Sequence, residues 1–326
     1  MSTSIEDSNE KNTEEKKIEE YESLKSSKFK QQKLPAWRPV PTITSSTITF
    51  FLFGTIFIII GVFISSLSKQ IVEKPIRYDN LKNYKGTKVN VSITLDKTIK
   101  QPIMVYYQID GFYQNHRRYV KSKDDEQLSG KDLTLSQIKK NGNCKPVETN
   151  KEMGAILSLN NSILDPDDVA IPCGLLARSY FRDHFTFFHG SGEEIPINDK
   201  NIIYGADRKR FNNTNNLSKQ WINMTDEHFI VWMRPSGLPN FRKLWGRIEE
   251  DLNPGKYYFK ITDVFDVKKF KGKKYVILSN ANMLGGKNDG LAICFIIVGI
   301  LSIVIGITFL IWYFIKKNNE EKEKDD

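Results

Sequence analysis

The sequence has few of the residues that most enzymes use for chemistry. Its 326 residues include 3 cysteines and 4 histidines, and it contains no glycine-rich phosphate-binding motif. His184 and His189 stand five residues apart, which does not match the i, i+4 spacing of two metal ligands on a helix. We therefore predict no catalytic residue, no metal site and no cofactor, and we expect the histidines to be structural.

Charged residues are absent from two long apolar runs, which we interpret as transmembrane helices. These runs cover residues 43–67 and 291–315, and neither contains Asp, Glu, Lys, Arg or His. A bilayer core about 30 Å thick requires roughly twenty helical residues. A signal peptide fits the first run poorly, because a charged stretch of 42 residues precedes it. Helices without ionisable residues also argue against a channel or carrier.

Basic residues are concentrated beside the predicted helices, on the side of the two tails. Five basic residues and no acidic residue lie between Ser23 and the first helix, and Lys316 and Lys317 follow the second. Because basic flanks remain in the cytosol, we expect both tails to be cytosolic. The predicted domains are a cytosolic tail (1–42), a membrane helix (43–67), a lumenal or extracellular domain (68–290), a second membrane helix (291–315) and a cytosolic tail (316–326).

The predicted lumenal domain carries all the sequons of the chain and an excess of positive charge. The candidate N-glycosylation sites are Asn90, Asn160, Asn212, Asn216 and Asn223. This domain contains 36 basic and 26 acidic residues, a net charge of +10. In the lumen, that charge indicates anionic lipid headgroups or the acidic loops of a partner, and the lumenal location argues against nucleic acid.

The cysteines are divided between the lumenal domain and the membrane. Cys294 lies in the second apolar run, whereas Cys144 and Cys173 are lumenal. Because that compartment is oxidising, we predict a disulfide between Cys144 and Cys173. Closing a loop of about 30 residues would stabilise the fold by roughly 3–4 kcal/mol. The alternatives are free thiols or a shared metal ion, although two cysteines alone make a poor zinc site.

Alternating and β-branched runs predict a strand-rich lumenal domain. The predicted strands are 89–95, 103–109, 256–265 and 273–279. Residues 175–185 have the length and apolar spacing of a helix, and residues 198–220 are polar enough for a glycosylated loop. The predicted fold class is an antiparallel β-sandwich with short helical insertions, flanked by two transmembrane α-helices.

The N-terminal tail consists of two segments that differ in amino-acid composition. Residues 1–24 are rich in Glu and Lys, which predicts disorder. Residues 29–42 form a strip whose prolines prevent a continuous helix. Trp37 and Arg38 in this strip are candidates for a membrane-interface anchor or for contact with a cytosolic partner.

Each apolar run carries two glycines seven residues apart. They are Gly54 and Gly61 in the first run, and Gly299 and Gly306 in the second. Seven residues are about two helical turns, so each pair shares one face. Small residues allow close approach of another helix, which makes these glycines candidates for partner contact. The alternative is that glycine is simply common in membrane helices.

Five unusual segments follow one another along the chain. They are FKQQKLPAWRPVPT (29–42), FYQNHRRYVKSKDDEQL (112–128), IPCGLLARSYFRDHF (171–185), VWMRPSGLPNFRKLWGRI (231–248) and GGKND (285–289). In order and spacing they resemble the cell-division-control-protein-fifty family, also called the ligand-effect-modulator or transmembrane-protein-thirty family. The resemblance extends from about residue 29 to about residue 315.

The resemblance implies a non-catalytic beta subunit of a type-IV P-type ATPase, an enzyme that moves phospholipids across membranes. Such a subunit binds the ATPase in the endoplasmic reticulum, allows export of the complex toward the Golgi, endosomes or plasma membrane, and supports its activity. Arg117, Arg118, Arg242 and Lys243 are then candidates for contact with the ATPase. For the charged residues 114–125, the alternative is internal pairing that fixes a turn.

The sequence departs from the family in two places, and other functions are possible. No cysteine occurs between residues 69 and 143, where family members often have more, so one usual disulfide is missing. Arg182, Asp183 and His184 replace a common Asn-Asp-Thr glycosylation site. The alternative function is a stand-alone cell-surface receptor or adhesion protein. A weaker alternative is a lumenal hydrolase that uses His116 or His184.

Overall fold

The computed structural model describes residues 21–22, 25–29, 31–32, 41–81, 88–280 and 285–325. In chain order, the elements within these ranges are α1 (Ile43–Lys69), β1 (Glu73–Arg77), β2 (Lys88–Leu95), β3 (Ile103–Asp110), α2 (Arg117–Lys121), α3 (Asp125–Leu128), α4 (Leu135–Asn141), α5 (Asn150–Met153), α6 (Leu175–Arg178), β4 (His184–His189), β5 (Glu194–Ile195), α7 (Gly205–Arg208), α8 (Glu227–Met233), β6 (Phe241–Ile248), β7 (Gly255–Thr262), β8 (Lys273–Asn280) and α9 (Asp289–Asp325). A single 3₁₀ turn, Lys268–Phe270, precedes β8.

Two long apolar helices flank a β-rich domain, as predicted. The chain divides into two compact units, one made of Met1–Ile59 with Phe295–Asp326 and the other of Ile60–Cys294. The apolar helical spans are Ile43–Lys69 and Asp289–Lys322, both long enough to cross a bilayer. Helix α1 continues past the C-terminal end of the predicted run 43–67, and α9 extends beyond both ends of the predicted run 291–315. The added residues are mostly polar.

The strands form two four-stranded antiparallel sheets. The first sheet has the order β1-β8-β3-β6 and the second the order β2-β7-β4-β5. Strand β3 pairs along its whole length with β8, and β7 does so with β2. Strands that follow one another in sequence seldom pair within a sheet, so most connections run from one sheet to the other. These connections contain the short helices and most of the surface features described below.

Strict alternation explains why the sheets stack into a sandwich. In β3 the side chains of Ile103, Val105, Tyr107 and Ile109 are buried, while their neighbours are partly exposed. Side chains of a strand point alternately to the two faces, so this pattern gives each sheet one apolar face. The apolar faces meet in one core, in which the ring of Phe185 from the second sheet lies 5.0 Å from the ring of Trp245 in the first. The predicted antiparallel β-sandwich is therefore confirmed.

Four predicted strands are present, but the predicted helix 175–185 is wrong over most of its length. Helix α6 ends at Arg178, and strand β4 already begins at His184. The Ser179 hydroxyl donates to the Leu175 carbonyl oxygen (2.9 Å), which occupies an acceptor at the end of the helix. Beyond it, Phe185 and Phe187 are buried with the period of two that a strand requires. The predicted loop 198–220 contains the short helix α7.

Candidate interaction surfaces

Residues 112–128, one of the five unusual segments and here called the signature segment, lie between β3 and α4, and their apolar side chains anchor them to the core. The chain turns at Gly111, whose φ of 79° lies in the left-handed region that glycine adopts readily. The Phe112 ring then packs among the rings of Tyr119, Trp232 and Phe270, with centroids 5.1–5.9 Å away. The following helix therefore has a fixed position on the sandwich.

Helix α2 has one partly buried face and one solvent face. Tyr119 points inward, where its hydroxyl bonds to that of Ser179, and burial raises its pKa to about 12. Arg117 and Arg118 are exposed on the opposite side, and neither makes an ion pair within the described residues. The structure thus presents these predicted contact residues to solvent, and their contact with a partner stays a prediction.

Helix α3 begins at a buried aspartate. One carboxylate oxygen of Asp124 accepts from the backbone N–H groups of Glu126 and Gln127, both at 3.0 Å, which caps the helix. The Gln127 amide in turn accepts from the Cys173 N–H (3.0 Å) and donates to the Ala170 carbonyl oxygen. An aspartate three residues before a glutamine is a helix-start signal, so the sequence could have shown this cap.

The signature segment packs directly on the PCG sequence at residues 172–174. The Ser122 hydroxyl accepts from the Leu175 N–H (2.8 Å) and donates to the Lys145 carbonyl oxygen (2.9 Å). A Cβ atom at Gly174 would lie 2.1 Å from the Ser122 carbonyl oxygen, and the φ of Gly174 is 99°. No side chain could fit there, so this contact requires glycine. Two of the unusual segments are therefore parts of one structure.

The predicted disulfide lies beneath this contact. Cys144 and Cys173 are bonded to each other with their Cα atoms 5.6 Å apart, and both are buried. The bond closes a loop over a sequence separation of 29 residues. Because it joins the loop after α4 to the PCG sequence, it holds the base of the signature segment in place.

A groove of about 1020 Å³ lies on the outer side of this segment. Its charged lining consists of four basic and three acidic residues: Arg118, Lys121, Lys123, Lys145, Asp124, Asp125 and Glu126. Of its three carboxylates, Asp125 pairs with Lys123 and Glu126 with Lys131, while Asp124 is buried and accepts the N–H groups at the start of α3. Arg118, Lys121 and Lys145 make no ion pair within the part of the chain that the structure describes. The groove is therefore basic and suits an anionic ligand or an acidic loop.

Arg242 and Lys243 lie side by side in β6, but their environments differ. Arg242 is exposed, with its guanidinium 2.7 Å from Glu73 and 2.9 Å from the Gln108 side chain. Lys243 is 6% exposed, and its Nζ donates to the carbonyl oxygens of Val231 (2.8 Å), Trp232 (3.1 Å) and Arg234. Burial, assisted by Arg234, lowers the pKa of Lys243 to about 7. Lys243 therefore caps α8 instead of offering its charge to solvent.

Three of the four glycines of the long helices, Gly54, Gly299 and Gly306, lie where α1 meets α9. A Cβ atom at Gly54 would lie 2.9 Å from the Gly299 carbonyl oxygen, and one at Gly299 would lie equally close to that of Gly54. Gly306 faces the Phe51 ring, and Gly61 is buried. The close approach that these residues permit is used within the chain, and contact with a partner helix at these positions stays a prediction.

The remaining predicted site residues fall into two groups. Trp37 and Arg38 lie outside the described residues. All five sequon asparagines are exposed and accessible to a glycosylating enzyme: Asn90, Asn160, Asn212, Asn216 and Asn223. Their glycosylation remains a prediction.

Sequence reasoning missed a buried charged cluster between the two sheets. Lys274 in β8 donates to the carboxylates of Asp183 and Asp263, at 2.6 Å in each case, and Tyr78 donates to Asp183 at 2.8 Å. Lys274 lies two residues before the buried Val276 in β8, so both side chains point to the same face of the sheet. This alternation was the sequence signal that could have identified Lys274 as buried. The predicted strand 273–279 contained it, but lysine is normally taken as outward-facing.

Fold and surfaces together define a class: a two-span membrane protein with a disulfide-bonded β-sandwich that carries a groove with unpaired cations. The chain belongs to the LEM3 (ligand-effect modulator 3) family / CDC50 family, whose model matches residues 8–319.

Three relatives illustrate the similarity. The putative ALA-interacting subunit 2 of Arabidopsis thaliana is 36% identical over 314 residues, covering 87% of this chain and 86% of the relative. Cell cycle control protein 50A of Bos taurus is 34% identical over 330 residues, covering 87% of each chain. Cell cycle control protein 50B of Homo sapiens is 27% identical over 350 residues, covering 91% of this chain and 95% of that protein.

Proposed function

We propose that this chain is the non-catalytic accessory (beta) subunit of a phospholipid-translocating P-type ATPase. The observation that carries the proposal is the family match over residues 8–319, together with a relative named as an ALA-interacting subunit. As a beta subunit, the chain forms a heterodimer with the ATPase and contacts membrane lipids. It is needed for assembly, for export from the endoplasmic reticulum, and for aminophospholipid translocation that maintains membrane asymmetry.

The proposed topology places residues 68–290 in the lumen or outside the cell and both termini in the cytosol. The basic flanks of the long helices support this orientation. The complex then travels from the endoplasmic reticulum to the Golgi, endosomes or plasma membrane. In the lumen, the disulfide is stable and the exposed sequons meet the glycosylating enzymes.

The basic groove is the surface that we assign to the partner. Its unpaired cations, Arg118, Lys121 and Lys145, suit acidic residues in the lumenal loops of the ATPase. Arg117, on the same exposed face of α2, extends this positive surface. Desolvating a cation without a partner is costly, so these side chains favour a contact that supplies carboxylates.

Affinity purification of the tagged full chain in mild detergent tests the proposal. We expect a P-type ATPase as the main co-purifying protein, and loss of aminophospholipid uptake in cells that lack the chain. Recovery of the chain without an ATPase, together with normal uptake in the deleted cells, would contradict the proposal. Display of the chain at the cell surface without an ATPase would instead support a receptor or adhesion protein.

A further inference from the structure

The cluster of Lys274, Asp183 and Asp263 lies in the core between the two sheets. Lys274 belongs to β8 of the first sheet, while Asp183 directly precedes β4 and Asp263 directly follows β7 of the second sheet. The side chain of Lys274 is 1% exposed and that of Asp183 is 0% exposed. The proposed subunit function does not explain why an amine and a carboxyl group are held together with both side chains buried.

The contacts around Asp183 resemble those of an acyl-transfer site. Its Oδ1 accepts from the backbone N–H groups of Val264 (2.7 Å) and Phe265 (2.6 Å). Its Oδ2 accepts from Lys274 Nζ at 2.6 Å and from the Tyr78 hydroxyl at 2.8 Å. Two N–H donors on one oxygen form an oxyanion hole, which stabilises negative charge that develops there.

Asp263 occupies the position of a proton carrier. Its Oδ1 lies 2.6 Å from Lys274 Nζ, and its side chain is 19% exposed. A carboxylate at hydrogen-bond distance from an amine can take a proton from it and return the proton to a leaving group. A cleft of about 140 Å³, lined in part by Asp263, Phe265 and Lys274, opens beside the cluster and has room for a released water molecule.

We propose that Lys274 and Asp183 react with each other to form an intramolecular amide, an isopeptide bond between Nζ and the side-chain carbonyl carbon Cγ. The ammonium of Lys274 first gives one proton to the carboxylate of Asp183. The neutral amine then attacks Cγ, and the resulting oxyanion at Oδ1 is held by the N–H groups of Val264 and Phe265. Asp263 takes a proton from Nζ and delivers it to Oδ2, which leaves as water.

The reaction is balanced without any external reagent. One ammonium and one carboxylate become one amide and one water molecule, so a C–N bond forms, a C–O bond breaks and nothing is oxidised or reduced. Burial raises the pKa of Asp183, which favours transfer of a proton to its carboxylate. The fold holds the reacting groups in contact, which replaces an encounter in solution by a step within one molecule.

The bond would join the two sheets covalently. Asp183 and Lys274 are 91 residues apart in sequence, so the cross-link would restrict the unfolded chain over that distance. The Cys144–Cys173 disulfide closes a shorter loop elsewhere in the domain. Unlike the disulfide, an amide resists reducing agents, so the sandwich would keep this connection in any redox environment.

Mass spectrometry of the full chain tests the inference. The chain is purified in detergent, freed of N-linked glycans and denatured, and its intact mass is measured. We expect a mass lower by one water molecule, and a branched proteolytic peptide that joins the segments around Asp183 and Lys274. An intact mass equal to that of the unmodified sequence would overturn the inference. So would a water loss that fragmentation places at any other residue.

Two variants separate the reaction from the packing. Lys274→Arg keeps a cation that can pair with both aspartates but cannot form the amide, so its mass should be that of the unmodified chain. Asp263→Asn leaves Lys274 and Asp183 in place and removes the proton carrier, which should slow amide formation about 100-fold or more. Amide formation by Asp263→Asn at the rate of the unchanged protein would contradict the role assigned to Asp263. Neither result depends on whether the chain binds an ATPase.

Discussion

At the scale of single residues, two buried lysines each connect several elements of this fold. Lys243 and Lys274 each occupy an inward position of a strand, in phase with buried neighbours such as Phe241 and Val276. A buried cation is tolerated when its three N–H groups find acceptors. Lys243 finds three carbonyl oxygens and Lys274 finds two carboxylates and a carbonyl. Both lysines therefore act as connectors between elements.

The buried position of Lys243 predicts a pH-dependent stability. Its pKa is about 7 in the folded chain and would be about 10.4 when unfolded. Between these values the unfolded chain binds a proton that the folded chain does not, so stability rises with pH, by at most about 1.4 kcal/mol per pH unit. Below pH 7 both states are protonated and the slope disappears. Unfolding of the purified full chain at pH 7 and pH 9 measures this rise.

Substitution identifies the lysine that is responsible. Lys243→Met removes the titrating group, so the rise in stability between pH 7 and pH 9 should become smaller. It also leaves three carbonyl oxygens without a donor, which costs about 1–3 kcal/mol at every pH. Lys256→Met changes an exposed lysine of β7 and should retain the slope of the unchanged protein. Equal slopes in all three proteins would refute the assignment.

At the scale of elements, the sequence predicted what depends on local pattern. Strands β2, β3, β7 and β8 were recognised because they alternate or are rich in β-branched and aromatic residues, and the membrane helices were recognised by length. Strand β1 contains Pro75, and β6 has Lys243 at an inward position, so neither shows a regular apolar pattern. Their burial depends on partners that are distant in sequence, which a local window does not contain.

The site was predictable to a similar extent. The sequence marked Arg117 and Arg118 as surface residues, and it marked Cys144 and Cys173 as a pair. It could not show that Lys243 is buried, because the three carbonyl oxygens that accept its protons become neighbours only after folding. The groove also depends on tertiary structure, since the disulfide and the Gly174 contact bring its walls together.

The helix pair predicts a difference between two glycines. Gly54→Ala should disturb the packing of α1 against α9, because its Cβ would lie 2.9 Å from a backbone oxygen that cannot rotate away. Such overpacking costs about 1–3 kcal/mol. Gly306→Ala should have a smaller effect, since its Cβ would meet the Phe51 side chain at 3.2 Å. The two substitutions are chemically identical, so each serves as the control for the other.

Cross-linking in membranes can measure this difference. Phe50 and Phe309 have ring centroids 5.8 Å apart, so cysteines at both positions should be joined by a short bifunctional thiol-reactive cross-linker, in a chain that also carries Cys294→Ser. We expect Gly54→Ala to lower the cross-linking yield and Gly306→Ala to leave it nearly unchanged. Equal yields in both variants would mean that the backbone contact between Gly54 and Gly299 does not position the helices.

At the scale of the whole molecule, the groove differs from the rest of the sandwich surface in how its charged side chains are paired. Most of the ion pairs of the sandwich are exposed and satisfied within the chain, as in Lys100–Asp251 and Arg242–Glu73. The groove beside the signature segment differs, because Asp125 and Glu126 are paired within the chain and Asp124 caps α3, while Arg118, Lys121 and Lys145 have no ionic partner within the described residues. A partner that brings acidic groups would complete the pairing there.

Charge reversal in the groove therefore provides the sharpest test of partner contact. The double variant Arg118→Glu with Lys121→Glu should lower recovery of the co-purifying ATPase about tenfold or more, because like charges across an interface cost several kcal/mol. Binding by the unchanged chain should weaken as salt rises, whereas the residual binding of the variant should not. The control is Lys139→Glu with Lys140→Glu, which changes the net charge equally on exposed positions of α4 outside the groove lining. If the two double variants lost the ATPase equally, the effect would be one of net charge, and the groove would not be the contact surface.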